Sequence, residues 1–387
     1  MQTPAPKASR ATATGRPRAP RARSAPAAVD LALQGGGSHG AFTWGVLDAL
    51  LEDESLALDG VSGTSAGALN AAVLASGWAA GGRQGARGAL RAFWHDVARQ
   101  GACFGRPSWP SWPVAGVFGG WPWPAAGPLA GLGAAAPGLA AFNLDHHPFY
   151  GLMQQFLHSA SPYQFNPYDL NPLREVVARH VDADALRRGP LSLFVTATAV
   201  RSGQPRVFTR EDLSTDALLA SACLPQLFRA VVVDGEPYWD GGYSGNPAIW
   251  PLIYGTAALD IVLVKINPLW RPQLPDSAAE IADRVNEITF NAGLVSEMRA
   301  IAFVQRLVDQ GRLDAGEYKQ LRLHMVADDE GLAPLQPSSK LNTDRAFLDT
   351  LHGLGRDAAA RWLREQRPQV GRRSTLDLAS TFLTPRR

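Results

Sequence analysis

Cysteine is scarce: Cys103 and Cys223 are the two in a chain of 387 residues. Neither has a partner at the short spacings of zinc sites, which argues against a disulfide framework and against a cysteine-rich metal centre. Charge is scarce too, at 19% of residues, and neither sign dominates, with 37 Lys and Arg against 35 Asp and Glu. The imbalance that exists sits in residues 1–29, where Lys7, Arg10, Arg16, Arg18, Arg21 and Arg23 meet no acidic residue. The rest of the chain holds 31 basic against 35 acidic side chains, a mildly acidic balance that speaks against a nucleic-acid partner. A long uninterrupted apolar run is also missing. The best candidate, residues 107–144, is cut by seven prolines, so no bilayer-spanning helix is expected. The N-terminus shows neither the apolar stretch of a signal peptide nor the Leu, Ile or Phe stripe of a transit helix. It reads as a disordered basic, Ala- and Pro-rich arm, 1–28, on a soluble cytoplasmic protein.

What the chain does have is enough apolar residue, 46%, to bury a large core. Residues 29–34 form a short apolar run stopped by glycines, and Phe42, Val46, Leu47, Leu50 and Leu51 follow at helical spacing. The apolar run 56–63 leads in the same way into the small, helix-forming residues 66–74. Two βα units in succession predict adjacent parallel strands whose strand-to-helix loops open at one edge of the sheet. Further strands are expected at 191–200, 229–238, 260–267 and 321–326, and helices at 173–186, 215–224, 278–310 and 343–364. Strands and helices alternate without an obvious linker, which predicts one α/β domain over 29–367 and a C-terminal tail, 368–387. Within it, 107–144 is a Trp-, Pro- and Gly-rich insertion, either packed over the core or an interfacial lid.

Gly35-Gly36-Gly37-Ser38-His39-Gly40 satisfies G-x-G-x-x-G between a strand and a helix, the dinucleotide fingerprint. That fingerprint wants an acidic residue about 20 positions on, at the end of the second strand. Asp59 has nearly that distance, but it precedes Val61, and the strand runs on into Gly63-Thr64-Ser65-Ala66-Gly67. This is G-x-S-x-G at a strand-to-helix junction, the setting of a nucleophile elbow, although a serine there is also a plain helix N-cap. The preceding glycine loop favours the nucleophile. Acyl transfer needs backbone N–H donors about 3 Å from the developing oxyanion, and Gly35, Gly36, Gly37 and Ser38 at a helix N-terminus suit that task. Ser38 has an alternative reading as the N-cap of the helix near Ala41, and His39 reads as a packing or solvent-facing residue.

The base has two candidates. His324, at the end of a strand-like run, would follow the Ser, Asp, His order of an α/β-hydrolase, whereas His352 falls within an expected helix. That fold, however, places several strands before its elbow, and here one precedes it. The other candidate is Asp240-Gly241-Gly242, which ends an apolar run just after the hairpin signal Asp234-Gly235. Spacing alone leaves open a second tight turn or a carboxylate that meets a serine.

Taken in order, the motifs 35–40, 63–67 and 240–242 resemble those of the patatin-like phospholipase family, serine acyl hydrolases of bacterial type. The segment Ser221-Ala222-Cys223-Leu224-Pro225 is similar to the family's small-residue and proline stretch before its aspartate. The resemblance implies a three-layer α/β fold with a mostly parallel central sheet and a nucleophile elbow after an early strand. It also implies a Ser65–Asp240 dyad, Gly63, Thr64, Ala66 and Gly67 shaping the elbow, and Gly241 and Gly242 supporting the aspartate loop. His39 stands where many members have Arg or Lys, so that loop carries no permanent charge of its own. The implied activity is hydrolysis of a fatty acyl ester of a phospholipid, lysophospholipid or acylglycerol, with no metal and no cofactor. A lipid substrate and the basic arm together point to peripheral contact with the inner face of a membrane. The rivals are a nucleotide-binding oxidoreductase built on the glycine loop and a non-catalytic lipid-binding protein. The intact Ser65 and Asp240 argue against the second.

Overall fold

A computed structural model describes residues 26–101, 138–145, 150, 159–314 and 316–384. The arm through residue 25, Cys103 and most of the 107–144 insertion, with Trp109, Trp112, Trp121 and Trp123, lie outside the described residues.

In chain order the main elements are β1 (Ala27–Leu33), α1 (Gly40–Glu52), β2 (Leu56–Thr64), α2 (Ala66–Gln100), α3 (Pro172–His180) and α4 (Ala183–Arg188). Then come β3 (Ser192–Ala199), β4 (Pro205–Thr209), α5 (Thr215–Ser221), β5 (Val231–Val233) and β6 (Glu236–Asp240). The last are α6 (Trp250–Gly255), β7 (Asp260–Val264), α7 (Ala278–Asp309), β8 (Arg322–Val326) and α8 (Arg345–Glu365). Strands β3, β2, β1, β7 and β8 lie side by side in that order and are mutually parallel. β4 and β6 pair antiparallel with β3, and β5 with β6. This is the mixed, mostly parallel sheet that the βα repeats imply.

Strand alternation builds the layers. On β1, Leu31 and Leu33 enter one core and Ala32 the other; on β7, Val262 and Val264 oppose Ile261 and Leu263 in the same way. A sheet covered on both faces can be apolar at every position, which is why 260–264 reads as an unbroken run. Helices α1, α2 and α8 cover the first face, and α6 and α7 the second. α1 and α8 approach closely because Gly45 and Gly355 lack side chains: a Cβ at either would collide with a carbonyl of the other helix.

Three local departures from the expected elements have physical causes. The helix expected over 173–186 is two, because Asp182 turns its carboxylate onto the N–H groups of Asp184 and Ala185 and starts a new helix. α2 runs on to Gln100 but breaks at Gly81 and Gly82, where Gly82 has φ 59°. β4 begins at a proline and adds an antiparallel ribbon that its mixed sequence PRVFT does not announce. Beyond residue 367 the chain stays on the body: Thr375 and Leu376 donate to the Leu323 carbonyl, and Phe382 is buried in the second core. Among the described residues, no helix is long and apolar enough to cross a membrane.

Candidate active site

β3 sets the distance between the two candidate catalytic residues. Along one of its edges Thr196 pairs with Thr64, the last residue of β2, and the next residue, Ala197, pairs with Asp240, the last residue of β6. β4 takes the other edge at both positions, so β6 continues the line of β2 beyond its end. Two segments 175 positions apart in sequence thereby end at neighbouring rungs of one strand, with Ser65 leaving one and Asp240 closing the other. Ser62 and Thr64 fasten the join: their hydroxyls donate to the carbonyls of Ala248 (2.6 Å) and Gly245 (2.7 Å) in the loop that follows Asp240.

Ser65 has φ 54° and ψ −125°, a conformation that a non-glycine residue adopts only under constraint. It occupies the N-cap position of α2, yet its side chain caps nothing. The plain N-cap reading therefore fails, and the hydroxyl is left for other work. The corner is locked from behind. Ser65 N–H donates to Ser221 Oγ at 2.9 Å, and Ser221 Oγ donates to the Thr196 carbonyl at 2.6 Å. Two residues on, the Cys223 carbonyl accepts from Asp240 N–H at 2.8 Å, so the 221–225 segment holds both residues of the pair. Ser221→Ala removes the acceptor beneath Ser65, and kcat on a short-chain ester is expected to fall by up to about 100-fold, the cost of a small misplacement of a reacting group. A melting curve and a steady-state assay on the same sample check this.

Asp240 is fully buried. Its Oδ1 accepts from Gly242 N–H at 2.8 Å, while Oδ2 has no hydrogen bond of good geometry. Burial pushes its pKa up to about 7, against the opposing pull of the Gly242 N–H, the Ser65 hydroxyl and the Lys340 charge. The Ser65 hydroxyl is thus among the groups that favour the ionised carboxylate. Gly241 and Gly242 are required here by space, since a Cβ would collide with the Thr196 carbonyl at one and with the Phe290 ring at the other.

The glycine loop lies against the elbow. A Cβ at Gly35 would sit 2.6 Å from Ser65 Cβ. Of the four residues expected to line an oxyanion hole, Gly35 has its N–H engaged by Asn246 Oδ1 at 2.6 Å and contributes by its close approach instead. Gly36, Gly37 and Ser38 stand at the start of a 3-10 turn, where the first N–H groups have no partner within the turn. The N-cap of α1 is His39 and not Ser38, and it makes no side-chain cap. His39 is buried, bonds Ser339 Oγ at 2.8 Å, and is held neutral because burial, then Lys340 and Arg271, push its pKa down to about 3.

A polar layer beneath this loop is absent from the motifs. Gln34 Oε1 accepts from the N–H groups of Ile266 and Asn267, both at 2.9 Å, and Asn267 Nδ2 donates to the Gly35 carbonyl at 2.7 Å. Gln34 and Asn267 each stand just past the apolar run of a central strand, a position where a buried polar side chain is the available signal.

The competing assignments separate by place. His324 Nε2 bonds Asp260 Oδ1 and its Nδ1 bonds Thr375 Oγ1, both at 2.9 Å. Asp260 opens β7, at the sheet edge opposite to Ser65, so His324 fastens the C-terminal segment there. His352 packs on Trp44 and Asp48 between helices. Asp59, the candidate ribose ligand, accepts from Ala257 and Ala258 N–H ahead of β7 at that same far edge. Asp59 is therefore not placed to serve the glycine loop as the acidic partner of a dinucleotide site. Asp234 and Gly235, at φ 52° and 81°, form the tight hairpin between β5 and β6 that their sequence predicts. Among the described residues, no group of three or more His, Cys, Asp or Glu is placed to hold a metal ion.

The model of the patatin-like phospholipase family matches residues 31–253, a span that contains the glycine loop, the elbow and the Asp240 loop. No curated protein matches the sequence. Among solved structures, VipD from Legionella pneumophila aligns over 93% of this chain and 73% of its own, at 12% identity and a TM-score of 0.36.

Proposed function

The chain belongs to the patatin-like phospholipase family of lipid acyl hydrolases, and from that premise we propose that it cleaves fatty acyl esters through a Ser65–Asp240 dyad. The observation that carries the reading is the strained, uncapped Ser65 set beside a buried carboxylate with one oxygen free of hydrogen bonds. Ser65 Oγ attacks the ester carbonyl carbon as its proton passes to Asp240 Oδ2, and the carbonyl oxygen becomes an oxyanion facing Gly36, Gly37 and Ser38. When the tetrahedral intermediate collapses, the C–O bond to the alcohol breaks and Asp240 returns the proton to the leaving oxygen. Water then repeats the sequence on the acyl-enzyme and frees the fatty acid and Ser65.

An aspartate with an ordinary pKa of about 3.9 is a poor base for serine. At about 7, Asp240 is better matched, and the good leaving group of an ester lowers the demand on it as an acid. The substrate class is therefore carboxylic esters of lipids, with phospholipid, lysophospholipid and acylglycerol as the set to assay. A fluorophosphonate ester reacts with an activated serine and not with a structural one. It is expected to label the protein at Ser65, to fail on Ser65→Ala, and to label faster above pH 7 than below it. Labelling that persists in Ser65→Ala would defeat the reading.

A further inference from the structure

Gly35 is held at both of its peptide groups. Its N–H, in the peptide shared with Gln34, donates to Asn246 Oδ1 at 2.6 Å. Its carbonyl, in the peptide shared with Gly36, accepts from Asn267 Nδ2 at 2.7 Å and from Asn246 Nδ2 at 3.3 Å. Both amides are fully buried, and a partner fixes which way each one faces: Asn267 Oδ1 accepts from Lys340 Nζ at 2.9 Å, and Asn246 Oδ1 is taken by the Gly35 N–H. They arrive from different parts of the fold. Asn246 follows Asp240 by six residues, in the loop whose Gly245 and Ala248 carbonyls are fastened to Thr64 and Ser62, and Asn267 lies in the loop after β7. Gln34 joins the two, because its Nε2 donates to the Asn246 carbonyl at 3.2 Å while its Oε1 accepts from the Asn267 N–H at 2.9 Å.

One donor would satisfy the buried Gly35 carbonyl, and it has two. What a pair of side-chain amides adds is direction. The Gly35–Gly36 peptide is trans, so its C=O and N–H point opposite ways from one rigid plane. With the carbonyl turned to Asn246 and Asn267, the Gly36 N–H is turned away from both, and no hydrogen bond within the described residues takes it. The plane stands against the elbow, since a Cβ at Gly35 would sit 2.6 Å from Ser65 Cβ. A peptide between two glycines has no side chain to resist its turning over, so an outside hold is needed to keep one face of it toward the site.

We propose that Asn246 and Asn267 are positioning residues of the glycine loop: by holding the Gly35 carbonyl they aim the Gly36 N–H at the oxygen that becomes negative when Ser65 attacks. The role rests on the Ser65–Asp240 reading, and it makes the loop that carries Asp240 also set the oxyanion donor. The test compares kcat and KM on a short-chain p-nitrophenyl ester with the Ki of an alkyl trifluoromethyl ketone, all per site counted by fluorophosphonate labelling. Ser65 Oγ adds to the carbonyl carbon of that ketone as its proton passes to Asp240, and the ketone oxygen becomes an oxyanion as in the transition state. Asn267→Ala removes the shorter bond to the Gly35 carbonyl, and Asn246→Ala removes the longer one together with the acceptor of the Gly35 N–H. In each, kcat is expected to fall between about ten- and 100-fold with KM little changed, and Ki to rise by the same factor, because the weakened interaction is made only with the oxyanion. The acidic limb of kcat/KM should keep its place, since Asp240 Oδ1 is held by Gly242 and by neither amide. Asn267→Asp and Asn246→Asp keep the size and the acceptor oxygen but lose the donor, and they carry the same expectation if the alanine variants do not fold. A role in stability alone would lower Tm and the number of labelled sites while kcat per site and Ki held steady. That result, or a loss carried by KM, overturns the proposal. Ser65→Ala, run beside them, separates the two claims: if it is inactive while the asparagine variants keep kcat and Ki, the amides alone are misassigned, whereas an active Ser65→Ala removes the dyad itself.

Discussion

Replacing Ser65 with Ala, or Asp240 with Asn, is expected to lower kcat for ester hydrolysis by at least about four orders of magnitude, with the fold retained in both. Ser65→Ala deletes the attacking oxygen, and its small side chain fits wherever serine did. Asp240→Asn keeps an oxygen for the Gly242 N–H but replaces the proton acceptor by an amide that cannot serve as a base. In the proposed mechanism the two groups act in one proton transfer, so the double variant should be little worse than either single one. His324→Ala is the control. It breaks the Asp260–His324–Thr375 chain at the far edge of the sheet, so it should lower Tm while hydrolysis per folded molecule survives. Loss of activity in the His324 variant with survival in Asp240→Asn would reverse the assignment.

The candidate pair stands out in the sequence because each member ends an apolar run at a glycine-bounded turn, and such turns carry their reason in the local sequence. Gly35, Gly63, Gly67 and Gly241 each stand where a Cβ would meet backbone or side chain within the site. The choice between Asp240 and His324 was not legible from spacing, because it depends on which edge of the sheet each occupies. That is set by the pairing of β3 with both β2 and β6 and by the place of Asp260 at the start of β7. Gln34 and Asn267 fall between these cases, visible as polar ends of apolar strands but without a partner that the sequence names.

The stability of the fold should carry the imprint of Asp240. Asp240 has a pKa of about 7 in the folded chain, against about 3.9 in an unfolded one. For an acid whose folded pKa is raised, folding binds a proton across that window, so stability is greatest below the unfolded value and is lost as pH climbs from about 4 to about 7. Above that range the whole difference, about three pKa units, is paid as destabilisation on the order of 4 kcal/mol, an upper figure before local relaxation. Asp240→Asn has no such titration. It should therefore be more stable than the wild type at pH 8 and close to it at pH 4, the gain appearing across the intervening range. Thermal unfolding of both proteins at pH 4.5, 6 and 8 reads the effect directly. The difference in Tm should widen by several degrees toward pH 8. A gain of equal size at all three values would mean that asparagine merely packs better, and the absence of any gain would mean that Asp240 ionises in the folded protein as easily as it does in water. The widening is expected because the property that would suit this carboxylate to the proposed role beside Ser65, its reluctance to stay ionised in a buried place, is the same property that costs the fold stability.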